Sequence, residues 1–142
     1  MAVCERYVNA AVSAADFSEV RRVALDETSR AKGQNYVTLF ADADPDPAQR
    51  RVIFVTEGKE ATTVDAIAAN LRAHHGKPTQ IHSVSIDMSP AFIRGVTDHL
   101  PNAQITFDKF HVIAHASEAI DKMRRLEQKL DPNLKGLRWV LL

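Results

Sequence analysis

The chain is 142 residues long, 45% hydrophobic and 25% charged, which suits one soluble domain with a real core and excludes a disordered or fibrous chain. Eighteen basic and eighteen acidic side chains cancel, so no global field draws the protein to nucleic acid or to an anionic membrane, and any such affinity has to be local. A single cysteine, Cys4, excludes an internal disulfide and the multi-cysteine zinc patterns; with no apolar run near 18 residues and with Glu5, Arg6 and Asp16 where a signal peptide needs an apolar core, a cytoplasmic protein without a membrane partner is expected.

Residues 1–19 read as a lead-in segment. Tyr7, Val8, Ala11, Val12 and Ala15 have helical spacing, and Asp16 and Ser18 break it. The first strand is expected over Arg21–Asp26, with Val23 and Leu25 on one face and Asp26 at its carboxyl end, followed by a polar turn through Gly33. Asn35–Asp42 and Arg51–Thr56 are β-rich runs joined by the acidic, proline-interrupted turn Asp44–Pro47, so the first three strands form an antiparallel meander.

The period then changes. Thr62 and Asp65 fit a capping box, and Val64, Ile67, Ala68 and Leu71 repeat at helical spacing, which predicts a helix over Thr63–His74 closed by Gly76 and Pro78. In Ile81–Phe92, Ile81, Val84 and Ile86 read as a buried strand ending on Asp87. Ser89 as N-cap and Pro90 in the first turn then start a helix running to about Leu100. A fifth strand over Ala103–Asp108 precedes a long helix from about Lys109 to Leu130, striped by Ile113, Ala116, Ile120, Met123 and Leu130. The apolar end 137–142, with Trp139 in it, is of the kind that needs neighbours to cover it, and the chain is expected to be cut inside a larger fold.

The order βββαβαβα, with right-handed crossovers, predicts a mixed five-stranded sheet in which strand four lies parallel beside strand one. Asp26 and Asp87, 61 positions apart in sequence, then meet at neighbouring strand ends. Two carboxylates there are hard oxygen ligands suited to Mg²⁺ or Mn²⁺, and a pair of such ions roughly 3.5–4 Å apart can drive an in-line displacement at a phosphodiester. The plainer reading is that each aspartate caps its own turn or helix, as aspartates at strand ends commonly do.

The segments RRVALDETSRAKGQNYVTLFADAD, RRVIFVTEGK, VSIDMSPAFIRGVTDHLPNAQITFDKFHVIAHASEAIDKMRRLEQ and LKGLRW resemble the catalytic domain of bacterial insertion-sequence transposases of the ISL-three group, from about Val20 onward. Those proteins are DDE enzymes with a ribonuclease H-like core. The resemblance makes residues 20–142 the N-terminal part of that domain, incomplete at its C-terminus. It implies that Asp26 in LDETS and Asp87 in SIDMSP are the first two catalytic acids, holding two Mg²⁺ or Mn²⁺ ions. Asp108 and His111 match the family's D-[KR]-F-H segment; Asp108 is a minor candidate for a third metal ligand and His111 for a residue supporting the site. The implied activity is DNA strand cleavage and strand transfer, with transposon ends and target DNA as partners and homo-oligomerisation an option. The family's third acid is a glutamate far downstream, and Glu118 and Glu127 lie before that point. The chain alone is therefore expected to be inactive. The rival expectation is a non-catalytic module that pairs with or inhibits a full-length transposase. A third, a nuclease acting alone, needs Asp108 or Glu57 as a compensating acid.

The smaller signals have plain readings. His111 and His115 stand one helical turn apart but lack the further ligands of a zinc site. Lys122, Arg124, Arg125 and Lys129 interleave with Glu118, Asp121, Glu127 and Asp131, the pattern of an ion-paired helix face. His74, His75, His82 and His99 read as surface or turn residues.

Overall fold

The computed structural model describes residues 2–29 and 36–131. Two compact units divide the chain between Thr106 and Phe107. The first begins with helix α1, Ala2–Ser13, whose Val3, Tyr7, Val8 and Val12 are all exposed. Strands β1 (Arg22–Ser29), β2 (Tyr36–Asp42) and β3 (Arg51–Glu57) make the expected meander. Helix α2 (Ala61–Ala73), β4 (Ser83–Ile86), α3 (Pro90–His99) and β5 (Gln104–Phe107) follow, and then the long helix α4, Lys109–Leu130. The sheet order is β3-β2-β1-β4-β5. β1 pairs antiparallel with β2 and parallel with β4, and Gln104 N–H donates to His82 O at 2.9 Å, so β5 starts beside the start of β4. This is the ribonuclease H-like arrangement, and it follows from the pattern: a parallel neighbour needs a helical crossover, and α2 and α3 supply two.

One face of the sheet is dry. Val23 and Leu25 of β1, Phe40 of β2, and Val84 and Ile86 of β4 are at most 3% exposed, and Val64, Ile67 and Leu71 of α2 with Phe92 and Val96 of α3 and Leu100 at its C-cap close over them. Removing the branched or aromatic bulk from positions buried this fully costs about 2–5 kcal/mol each. The helices themselves come very close: a Cβ on Gly95 of α3 would lie 2.7 Å from Val64 Cγ2 and 2.9 Å from Ala61 O, so only glycine fits there. The lead-in also joins this core through Phe17 at 3% exposure, next to Val20 at 2%. Gln80, in a single 3₁₀ turn, pins that segment by donating from Nε2 to Phe17 O (2.7 Å) and Val20 O (2.9 Å).

Several boundaries differ from the sequence expectation for local reasons. β1 does not stop at Asp26 but runs to Ser29, because β2 pairs with it as far as Ser29↔Tyr36 and gives the polar residues of its arm a ladder partner. α2 starts two residues early at Ala61; Glu60 is its N-cap, so Thr62 and Asp65 lie inside the helix and form no capping box, and Thr63 Oγ1 instead donates to Glu60 O at 2.6 Å. The left-handed position after α2 is taken by His75, with φ 66°, and not by Gly76. Gly76 is needed for closeness, since a Cβ there would stand 3.1 Å from both Leu71 O and Phe17 O. His74 is not simply a surface residue: its ring stacks on Phe17 at 4.9 Å and Nδ1 meets Asn70 O at 2.9 Å.

In the second unit, α4 has no buried residue. The apolar stripe read from the sequence is exposed, with Ile113 at 60%, Ile120 at 45%, Met123 at 57% and Leu130 at 82%. The expected ion-paired face exists: Asp121 accepts from Arg124 at 2.8 Å and from Arg125 at 2.7 Å, and these two guanidinium groups hold its carboxyl below the usual carboxylate range. The apolar run with Trp139 lies outside the described residues.

Candidate active site

Asp26 sits inside a strand, not at the end of one. It is the fifth residue of β1, flanked by β2 on one side, where it pairs with Leu39, and by the line of β4 on the other. Strand alternation decides its direction: Val23 and Leu25 go into the core, so Ala24 and Asp26 lie on the opposite face, and Asp26 is exposed. Its Oδ1 accepts from Glu27 N–H at 2.8 Å.

Asp87 is positioned by the exit from β4. The β1–β4 register runs Arg22↔Ser83, Val23↔Val84, Ala24↔Ser85, and two residues further along each strand stand Asp26 and Asp87. Val84 and Ile86 are buried, so Asp87 continues the face of Ser83 and Ser85, the same face as Ala24 and Asp26. The β1–β4 ladder itself ends at Ala24↔Ser85, two residues before each acid. Asp87 is half-buried and also has a structural task. Ser89 N–H donates to its Oδ1 at 3.0 Å, forming the turn that launches α3 at Pro90, while the Ser89 side chain itself makes no cap bond. The capping reading from the sequence is therefore formed at Asp87, with one oxygen serving the turn.

The donor set fits a divalent cation. Both groups are carboxylates, the ligand type that Mg²⁺ and Mn²⁺ favour, and in each the backbone holds one oxygen and so limits the freedom of the other. Among the described residues no cluster of three His, Cys, Asp or Glu side chains that could hold a metal ion forms. Glu27 faces away from Asp26 by alternation, and Glu57 lies on β3, beyond β2 from Asp26.

Asp108 and His111 belong to the second unit. Asp108 is the N-cap of α4: its Oδ1 accepts from Phe110 N–H at 3.2 Å, and His111 Nε2 is 3.9 Å from its Oδ2. His115 stands 3.9 Å from Glu118 in the same helix. Asp108 thus caps the helix that follows it.

The sheet edge holds a feature that the sequence did not single out. After β3, Gly58 takes φ 94° and Lys59 swings its ammonium over the Tyr36 ring, 3.9 Å from the centroid. The signal available was a glycine directly after a strand and directly before a lysine. At the opposite end of β1, Ala24, Ala41, Asp42, Arg50 and Val52 line an open depression of about 510 Å³. There, burial pushes the Asp42 carboxyl above its usual range, with Asp44 adding to the effect and Arg51 opposing it.

A family model described as a transposase, of the DDE type and the ISL3 group, matches residues 23–142. The transposase of insertion sequence IS1001 from Bordetella parapertussis is 32% identical over 143 aligned positions, covering 95% of this chain and 34% of the relative. The transposase of IS1557 from Mycobacterium tuberculosis is 32% identical over 109 residues, covering 77% of this chain and 23% of that protein. The chain thus spans about a third or less of the curated relatives it matches. Among solved structures, the HTLV-2 integrase catalytic core in complex with magnesium superposes with a TM-score of 0.42 at 12% identity, over 85% of this chain and 80% of that one.

Proposed function

The chain belongs to the ISL3 family of transposases, and from that premise we propose that Asp26 and Asp87 are the first two acids of a DNA-cleaving and strand-transferring site. Residues 20–142 then form the N-terminal part of the catalytic domain, residues 1–19 a lead-in to it, and the whole protein acts in the cytoplasm on insertion-sequence ends and target DNA. The observation that supports the reading is the parallel β1–β4 ladder, whose last pair, Ala24↔Ser85, lies two residues before each of Asp26 and Asp87.

The division of labour between the two acids follows from their settings. Asp26 is held in a strand with neighbours on both sides, so its backbone has little freedom to lose when a ligand arrives. Asp87 sits where strand turns to helix, with its carboxylate tied to the α3 turn. A Mg²⁺ or Mn²⁺ ion bound by such a pair supplies Lewis acidity and a lowered water pKa to phosphodiester chemistry. The pair gives that ion two carboxylates. A complete two-ion site takes more ligands than this pair supplies.

The test is a Mn²⁺ titration of the intact chain followed by paramagnetic broadening of its amide signals. Broadening is expected to centre on Asp26, Asp87 and their neighbours, and to disappear in Asp26→Asn and in Asp87→Asn. Broadening that both variants retain, or that centres elsewhere, overturns the assignment.

A further inference from the structure

We propose that two copies of this chain associate through α4, as a parallel pair of helices with Met123 and Leu126 at the middle of the seam. The inference does not use the acid pair, so its failure and that of the metal assignment are separately visible.

α4 turns its apolar side to water. Its half-buried positions between the ends are Ser117, Asp121, Arg124 and Gln128, whereas Val112, Ala116, Ala119, Met123, Leu126 and Leu130 are all exposed. The second set is spaced 4-3-4-3-4 along the chain, which places it on one stripe of the helix, away from the half-buried side. That alternation is the seam of a two-stranded coiled coil, in which each apolar side chain enters a gap between side chains of the facing helix. The seam covers residues 112–130, about 27 Å of helix at 1.5 Å per residue. Moving it over by one position, onto Ile113, Ile120 and Glu127, would put a carboxylate inside it. Glu127 therefore sits beside the seam, and Ile113 and Ile120 widen the apolar contact on the same flank.

The charges beside the seam select the occupant and its direction. The heptad that the seam fixes puts His115, Lys122 and Lys129 on one flank and Ile113, Ile120 and Glu127 on the other. Two parallel copies bring opposite flanks together, so that Lys122 of each copy meets Glu127, five positions on, in the other. Two antiparallel copies bring like flanks together, which sets lysine against lysine and leaves Glu127 beside isoleucine. Both charges are open to such a pairing. Arg124 and Arg125 share Asp121 within the helix, while Lys122 and Glu127 form no ion pair among the described residues. One surface thus supplies both halves of the contact, an apolar stripe for its own image and a cation for its own anion, as a two-fold interface requires.

The experiment is sedimentation equilibrium of the full chain from low micromolar to submillimolar concentration, in reducing buffer so that the exposed Cys4 does not crosslink. The mass is expected to rise from one chain to two. Met123→Glu, which places a carboxylate in the seam, is expected to stay monomeric throughout, and Ala114→Glu, on the far side of the helix, to dimerise like the parent. Lys122→Glu sets acid against acid at both flanks and is expected to weaken the dimer roughly tenfold. Adding Glu127→Lys to it restores the parent affinity, because each pair re-forms with its signs exchanged. Circular dichroism confirms that each variant keeps its helix, as substitutions at exposed positions should. A parent chain that stays monomeric or settles at more than two copies overturns the proposal, and so does equal dimerisation of Met123→Glu and Ala114→Glu. A charge exchange that does not restore the dimer overturns the parallel arrangement.

Discussion

Replacing Asp87 in two ways separates what it does for the fold from what it does for a metal. In Asp87→Asn an amide oxygen replaces the carboxylate oxygen that accepts from Ser89 N–H at 3.0 Å in the parent, and only the charge near the start of α3 is removed. That charge, at a helix N-terminus, contributes about 0.3–1 kcal/mol. In Asp87→Ala the accepting oxygen goes as well, and losing a helix-start bond of this kind costs about 1 kcal/mol further. The alanine variant is therefore expected to unfold about 1 kcal/mol more easily than the asparagine variant. With a denaturant slope of about 2 kcal/mol per molar urea, that is a midpoint about 0.5 M lower. Circular dichroism through a urea titration measures the stability, and Mn²⁺ broadening measures the ligand. Both variants are expected to lose the ion and only one to lose the turn. Equal midpoints for the two refute the turn assignment, and an asparagine variant that still binds Mn²⁺ at this position refutes the ligand assignment.

Gly95→Ala forces a Cβ to 2.7 Å from Val64 Cγ2, and overpacking of about 1–3 kcal/mol exceeds the roughly 1 kcal/mol an alanine gains in a helix; a thermal melt should show a midpoint lower by a few degrees, and an unchanged or higher one defeats the close-packing argument. Gln80→Leu removes the side-chain donor shared by the carbonyls of Phe17 and Val20, which keep Val20 N–H and Arg21 Nη1 as donors, and should cost about 0.5–1.5 kcal/mol in urea denaturation, with Gln80→Glu worse at neutral pH because it sets an acceptor against acceptors; a loss too small to measure in either variant contradicts the pin. Asp42 behaves as any acid whose pKa is raised by folding: the folded chain binds its proton more tightly than the unfolded chain does, so ionisation weakens the fold as pH rises through the folded pKa. Asp42→Asn should be more stable than the parent at neutral pH, with the gap closing as pH falls towards the ordinary carboxylate value of 3.8, and a gap that widens on acidification reverses the assignment.

Strand and helix periods were legible because each needs only a local pattern. Val84 and Ile86 alternate with serines whatever the fold, and α4 runs from Lys109 to Leu130 as its spacing and its Asp131-Pro132 stop require. The parallel neighbour of β1 was legible too, since the handedness of a crossover leaves few places for β4 to go. The ends of elements were less so. Whether Glu27–Ser29 is turn or strand depends on whether β2 reaches them, and whether Thr62 caps α2 depends on where Gly58 and Lys59 have already turned the chain.

The amino-acid order alone thus determined the elements, the meander followed by crossovers, and the expectation that Asp26 and Asp87 meet, because hydrophobic period and chirality act through short stretches of chain. Tertiary structure decided the rest. It chose the register Ala24↔Ser85 just before the two acids, gave one oxygen of Asp87 to the turn before α3, and closed α2 against Gly95. It also brought Lys59 over a tyrosine 23 residues away in sequence. These depend on pairing between distant strands and on which neighbour arrives within bonding distance, and no local pattern carries that information.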